Sequence, residues 1–344
     1  MCSVNLRCVD MKAAATRLTL GALFASAMLP AAVAQTYTTF DPPGSILTVP
    51  ESINNLGDVT GYYADSSNVY HGFLRTANGT ITTFNPPGST ETIAYGINSS
   101  GEITGYANIN GYYQGFLRTS DGTFTMINLP NFTNIMPTSI NSYGDIAGVA
   151  YTTSPDYYGF IRTSGGTVTT FGVTSPIDNP LIVRISINDT DDVAGTTFYH
   201  DRYVGYVKPN GGAITTFRVP LDLYTYASGI NDSGTIAGYA YDPGCGFVTC
   251  QTEVGFVRTS DGALTRFQAN GKDTFTAGIN ASGEVTGSYS TSPVHGFLRD
   301  TSGVITTIDP PGSTGTFLTS ISDSGAITGF FVDGSGSHGF ILTP

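Results

Sequence analysis

Few side chains in this sequence could do chemistry, and most of them recur in fixed settings. His71, His295 and His338 each precede Gly-Phe, and the same slot elsewhere holds Gln114, Tyr158, Val204 and Val254. Equivalent slots of a repeating architecture are held apart, so no shared histidine metal centre is expected, because such a centre needs several ligands on one ion. His200 alone lies outside that slot. With Asp201 and Arg202 it forms the most reactive-looking cluster, at the tip of a variable loop. Asn188-Asp189-Thr190-Asp191-Asp192 is acidic enough to be weighed as a calcium loop, yet it fills a slot that elsewhere reads Asn-Ser-Ser-Gly or Asn-Asp-Ser-Gly. A turn explains it better, and no cofactor is assigned. The carboxylates Asp41, Glu51, Asp201, Asp242 and Asp273 could meet for glycoside chemistry, which requires two acids at a set separation that chain spacing does not supply. Gly-x-Ser-x-Gly, His-Glu-x-x-His and glycine-rich phosphate loops do not occur, so no catalytic residue is nominated.

The elements that must position these residues come from an internal repeat. Ile-Asn-x-x-Gly-x-Ile/Val-Thr/Ala-Gly starts at Ile53, Ile97, Ile140, Ile187, Ile230, Ile279 and, with Ser322 in place of Asn, Ile321, at spacings of 44, 43, 47, 43, 49 and 42. Gly-Phe or Gly-Tyr follows each copy, then a turn such as Asn78-Gly79 or Asp121-Gly122, then a Thr-rich alternating segment such as Thr80–Phe84. Alternation, β-branched residues and regular glycine punctuation indicate short antiparallel strands. One unit thus holds four: a runs into Ile-Asn, b follows the turn, c carries Gly-Phe and d is Thr-rich. Four-stranded units at this period are propeller blades.

The chain ends carry the argument further. Thr36-Tyr-Thr-Thr-Phe40-Asp-Pro-Pro43 matches the strand d of Thr80–Pro87 but precedes the first strand a, and the last unit stops after its strand c at Phe340-Ile-Leu342. The expected fold is an all-β, seven-bladed β-propeller in which residues of about 36–41 complete the last blade and remove two open sheet edges.

The repeat resembles the extracellular repeat family named for its His-Ala-Phe (HAF) motif, through His71-Gly-Phe-Leu74, His295-Gly-Phe-Leu298, His338-Gly-Phe-Ile341 and the Ile-Asn-x-x-Gly elements, over residues 36–344. Glycine replaces the motif's alanine, and Arg75, Arg118, Arg162, Arg258 and Arg299 stand where that family tends to have tryptophan. The resemblance implies an exported repeat protein and carries no reaction with it. WD-type repeats are excluded by the lack of any tryptophan.

Residues 1–34 read as a signal peptide: Arg7, Lys12 and Arg17 precede an apolar run that ends Ala32-Val-Ala34. The mature domain, 35–344, is expected to be secreted or periplasmic, monomeric and without a membrane span. The full sequence carries 14 basic and 26 acidic residues. Loss of those three basic residues and Asp10 leaves 11 against 25, so nucleic acid is not an expected partner. Cys2 and Cys8 leave with the leader, and Cys245 and Cys250 are expected to close a small disulfide loop.

In an antiparallel meander the a–b and c–d turns share one face, and the b–c and d–a connections share the other. The former are uniform, whereas strand-b Gly and strand-c Gly are separated by 11, 10, 11, 10, 17, 9 and 10 residues, and aromatic side chains collect there. Tyr62, Tyr63, Tyr106, Tyr112, Tyr113, Tyr157, Tyr199, His200, Arg202 and Tyr241 are the candidate ligand-binding residues, since tyrosine offers rigid apolar area with a hydrogen-bonding tip. Six basic residues in strand c, including Lys208, read as blade-to-blade salt bridges or surface stems. Glu51 and Arg184 lie two and three residues before their Ile anchors, so in regular strands at most one of them faces the channel. The function expected is non-catalytic binding of a glycan or cell-envelope protein on the b–c face; a polysaccharide hydrolase or lyase and a structural surface protein are the alternatives.

Overall fold

Threonine-rich alternation and Gly-centred turns do produce strands throughout. The computed structural model describes residues 36–152, 157–173, 184–200, 202–220, 224–245 and 250–344, the side chains of 242–252 excepted. Expectations for the signal peptide, for Asp201 and for the side chains of Asp242, Cys245 and Cys250 lie outside the described residues.

Among the described residues the strands form five four-stranded meanders and one eight-stranded sheet. The larger sheet divides at a lone parallel pair, Leu47 with Ser337, into two further meanders of four. The first is Ser45–Ile53, Val59–Asp65, Tyr70–Arg75 and Ile81–Phe84. The second takes strands a to c from Gly315–Ile321, Ile327–Val332 and Ser337–Thr343, and its strand d is Thr36–Phe40. Register runs from Thr36 opposite Thr343 to Phe40 opposite Gly339, so the N-terminal strand closes the last unit as its sequence implies. The fold is an all-β propeller.

Strand a is not regular. Its pairing with strand b slips by one residue between Pro50 and Ser52, and likewise at Ala94/Gly96, Pro137/Ser139, Ala227/Gly229, Thr276/Gly278 and Leu318/Ser320. Each slip is a β-bulge, which leaves one residue out of the ladder and kinks the strand. The kink brings strand-a backbone so close to strand b that a Cβ on Gly105 would lie 2.1 Å from the Ile93 carbonyl oxygen. Only glycine fits there, which explains the last residue of the repeat motif.

The core lies between neighbouring units. Phe73, Phe116, Phe160, Phe256, Phe297 and Phe340, all from the Gly-Phe slot, are fully buried, each contributing roughly 2–3 kcal/mol of hydrophobic stabilisation. Among the described residues, no ion pair joins a strand-c Lys or Arg to an acid. Arg75, Arg118, Lys208, Arg258 and Arg299 sit 4.9–5.6 Å from the strand-d ring of the preceding unit: Phe40, Phe84, Phe171, Phe217 and Phe267. The cation meets a ring quadrupole in a partly dry seam, where it is attracted without needing an acidic partner.

The three slot histidines hold d–a connectors. Asn85, Asp309 and Asp41, each followed by Pro-Pro-Gly-Ser, meet ring nitrogens of His71, His295 and His338 at 2.8, 2.6 and 2.7 Å. The Asp41 carboxylate, and more weakly Asp333, raise the His338 imidazole above its ordinary value, against partial burial. This tether also joins the closing strand to the last unit.

Candidate functional site

The Ile-Asn anchors converge on one axial cavity, bordered by Asn54, Asn98, Asn141, Asn188, Asn231 and Ser322 among others. Each asparagine passes its side-chain amide to the next unit: Asn54 Nδ2 donates to the Asn98 carbonyl at 3.0 Å, and the chain of bonds continues through Asn141, Asn188, Asn231 and Asn280 to Ser322. Ser322 has no amide to pass on. Asn55 and Asp323 close the gap instead, with two bonds of 2.8 Å. The acidic turn 188–192 belongs to this girdle: Asp189 accepts from the backbone N–H and Oγ of Ser142, and Asp191 from Asn141.

One layer further along the axis, the bulge residues line a second cavity. Glu51, Tyr95, Thr138, Ser228, Ala277 and Thr319 all sit there, joined by Arg184, which leads into the short strand Ile185–Ile187. Freed from the ladder, these side chains point into the channel. Glu51 and Arg184 therefore both face it, against the parity expected of regular strands. The bulge between Pro50 and Ser52 turns Glu51 inward, while Ile185 pairs directly with Gly195 and leaves Arg184 ahead of the strand.

Arg184 Nη2 lies 3.1 Å from Glu51 Oε2 and 3.4 Å from Oε1. The two come from the first and fourth units, so their ion pair crosses the channel. Burial pushes the Glu51 carboxyl up and the guanidinium pulls it back, while the carboxylate raises Arg184 further above its ordinary value. The guanidinium also stands 5.1 Å from the Tyr95 ring centroid. The Glu51 side chain is 6% exposed and that of Arg184 53%, so the cation is the part of the pair presented to solvent.

Beyond the ion pair the channel widens, toward the b–c connections, into a cavity of about 450 Å³. Its walls carry Tyr62, Tyr226, Tyr239 and Phe330. Tyr226 and Tyr239 are stacked, with centroids 4.9 Å apart at 17°. Burial, and after it the neighbouring Tyr241, pushes the Tyr239 phenol up to about 12. Burial and the Glu51 charge do the same to Tyr95, also to about 12. These phenols stay protonated near neutral pH and serve as hydrogen-bond donors beside apolar ring faces.

Only part of the sequence-derived set reaches this funnel. Tyr62 lines it, and Tyr241 packs behind its wall, with centroids 6.1 Å from Tyr226. Tyr63, Tyr106 and Tyr157 are buried: Tyr63 against His71, Tyr106 against Tyr95 and Tyr113, Tyr157 against Tyr151. They pack the scaffold and present almost no surface. Tyr112 is exposed at a hairpin end, and Tyr199, His200 and Arg202 border a separate outer hollow. Sequence reasoning missed Tyr95, Thr138, Tyr226, Ser228, Ala277, Thr319 and Phe330 as channel-lining residues. A signal was there: apart from the unbulged unit, every ring residue lies two before the Ile anchor, at a position that varies while its neighbours repeat. Cys245 and Cys250 are backbone register partners.

No protein-family model matches the sequence, and no curated protein matches it. The chain is similar in structure to virginiamycin B lyase from Staphylococcus aureus, at 15% identity and a TM-score of 0.60, over 90% of this chain and 99% of that one. It is similar also to the β-propeller domain of the Trilobed protease from Pyrococcus furiosus, at 12% identity and a TM-score of 0.62, over 88% and 94%. A third likeness, to a puromycin hydrolase at 10% identity and a TM-score of 0.58, covers 86% of this chain and 53% of that one. At such identities the likeness shows the propeller fold alone. Among the described residues no helix is long and apolar enough to cross a membrane.

Proposed function

We propose that this chain is an exported HAF-type repeat propeller that binds a glycan or other cell-envelope ligand in its axial funnel without altering it. The ring just below supports this reading. Six equivalent bulge places hold Glu, Tyr, Thr, Ser, Ala and Thr, and Arg184 joins them from the unbulged unit, whereas the scaffold positions around them repeat. Places that vary while the scaffold around them repeats suit recognition, although Thr138, Ser228 and Thr319 there also donate to backbone carbonyls. Stacked tyrosines supply flat apolar faces for a sugar ring, and the phenols and the Arg184 guanidinium supply donors. The leader, the removal of 1–34 and the Cys245–Cys250 disulfide belong to the same proposal, for an oxidising compartment.

Calorimetric titration of the mature protein with neutral and cell-envelope oligosaccharides tests it. Tyr226→Ala combined with Tyr239→Ala should weaken retention at least tenfold in protein that still unfolds cooperatively, though at a lower Tm because both rings pack on neighbouring aromatics. Unchanged retention would remove the funnel as the site.

A second reading, a propeller lyase or hydrolase, draws on the neighbours named above and on the burial-raised Glu51 carboxyl. One solved structure of the staphylococcal lyase is a catalytically inactive histidine-to-alanine variant with quinupristin. Here none of the four histidines borders the funnel or the ring below it. Turnover of a bound oligosaccharide, lost in Glu51→Gln, would favour this reading over binding alone.

A further inference from the structure

The fourth unit has lost a tie that three others keep. Where His71, His295 and His338 meet Asn85, Asp309 and Asp41, the equivalent places hold Val204 and Arg218, and no Pro-Pro follows. Equivalence rests on register: Val204 precedes Gly205, which faces Phe217, as His71 precedes Gly72, which faces Phe84. In place of the imidazole lies a hollow of about 450 Å³ with Val204 and Phe217 in its wall. Arg218 and, from the b–c hairpin, Tyr199, His200 and Arg202 border it.

Both guanidiniums are exposed, and among the described residues neither meets a carboxylate. Nor, among the described residues, does either stand over an aromatic ring. Five strand-c cations are stacked on phenylalanine rings, and Arg184 is held by Glu51. Two arginines with neither an acidic nor an aromatic partner among the described residues thus border one hollow of a strongly acidic protein.

We propose that this hollow is a second ligand site, separate from the funnel, which takes the carboxylate of an acidic sugar. Two guanidinium forks match the geometry of one carboxylate, and the apolar wall accepts the ring that carries it. The negative field of the whole molecule opposes long polyanions, so short uronate segments suit the site.

Calorimetry with tetragalacturonate, its methyl ester and inorganic sulfate tests the assignment. The acid should bind, the ester at least tenfold more weakly, and R202Q/R218Q should lose at least tenfold in affinity for the acid. The funnel variant Tyr226→Ala/Tyr239→Ala should bind tetragalacturonate as the wild type does, which separates this site from the axial one. Val204→His with Arg218→Asp restores the sibling tie, and should fill the hollow, raise Tm and abolish binding. Equal affinity for acid and ester, full affinity in R202Q/R218Q, or no binding of tetragalacturonate would each overturn the proposal. Sulfate bound as tightly as tetragalacturonate would overturn the sugar assignment.

Discussion

The two ends of the axial channel are built from the same strands and obey opposite rules. At the Ile-Asn end one residue type does one job repeatedly, each buried asparagine tying its unit to the next. At the funnel end, the equivalent bulge places carry an acid, hydroxyls, a ring and a methyl group, and a base joins them from the unbulged unit. A buried amide has a single arrangement that satisfies its donors and acceptors, so closure of the ring demands it each time. A bulge residue has left the backbone ladder, and although Thr138, Ser228 and Thr319 tie back to backbone carbonyls, the same place accepts Glu51, Tyr95 and Ala277, so its identity is open to recognition.

The sharpest way to break this contrast is at the scaffold. Gly105→Val should cost more than about 4 kcal/mol, because its side chain has no space beside the Ile93 carbonyl; a chain that still unfolds cooperatively at the wild-type urea midpoint would refute the bulge explanation. Asn141→Ala removes donors to Asn188 and Asp191 and the acceptor for the Tyr143 and Asp145 N–H groups. A loss of roughly 2–3 kcal/mol in denaturant unfolding is expected, the cost of buried groups left unpaired.

Milder changes sharpen the contrast. Tyr206 occupies the Gly-Phe slot, is fully buried, and its hydroxyl has no partner among the described residues. Tyr206→Phe returns the slot to its usual occupant and should stabilise by about 1 kcal/mol, read as a rise in Tm. At the ring, Ala277→Ser should move stability by less than about 0.5 kcal/mol, since the side chain faces the channel rather than the ladder; a loss as large as that of Asn141→Ala would show that the ring is scaffold after all.

Much of the architecture was legible because it is local. The Ile-Asn and Gly-Phe anchors, the turn glycines and the unmatched strand at each terminus all lie within a few residues of what they specify. The histidine tether was not read from the sequence, although its signal is there: each slot histidine occurs where the matching connector begins Asp or Asn-Pro-Pro-Gly-Ser. The choice among tyrosines was not legible. Tyr62 and Tyr63 are adjacent in one strand, yet one lines the funnel and the other is buried on His71, because alternate residues of a strand face different neighbours and only the assembled ring says which neighbour is open.

The amino-acid order alone determined the repeat, the four strands of each unit and the complementarity of the two ends, since turn chemistry and alternation act over a few residues. Tertiary structure decided what faces the axis. A bulge reverses the direction of a side chain without any mark in strand parity, and only the closed ring sets Glu51 against Arg184 across 133 residues of chain.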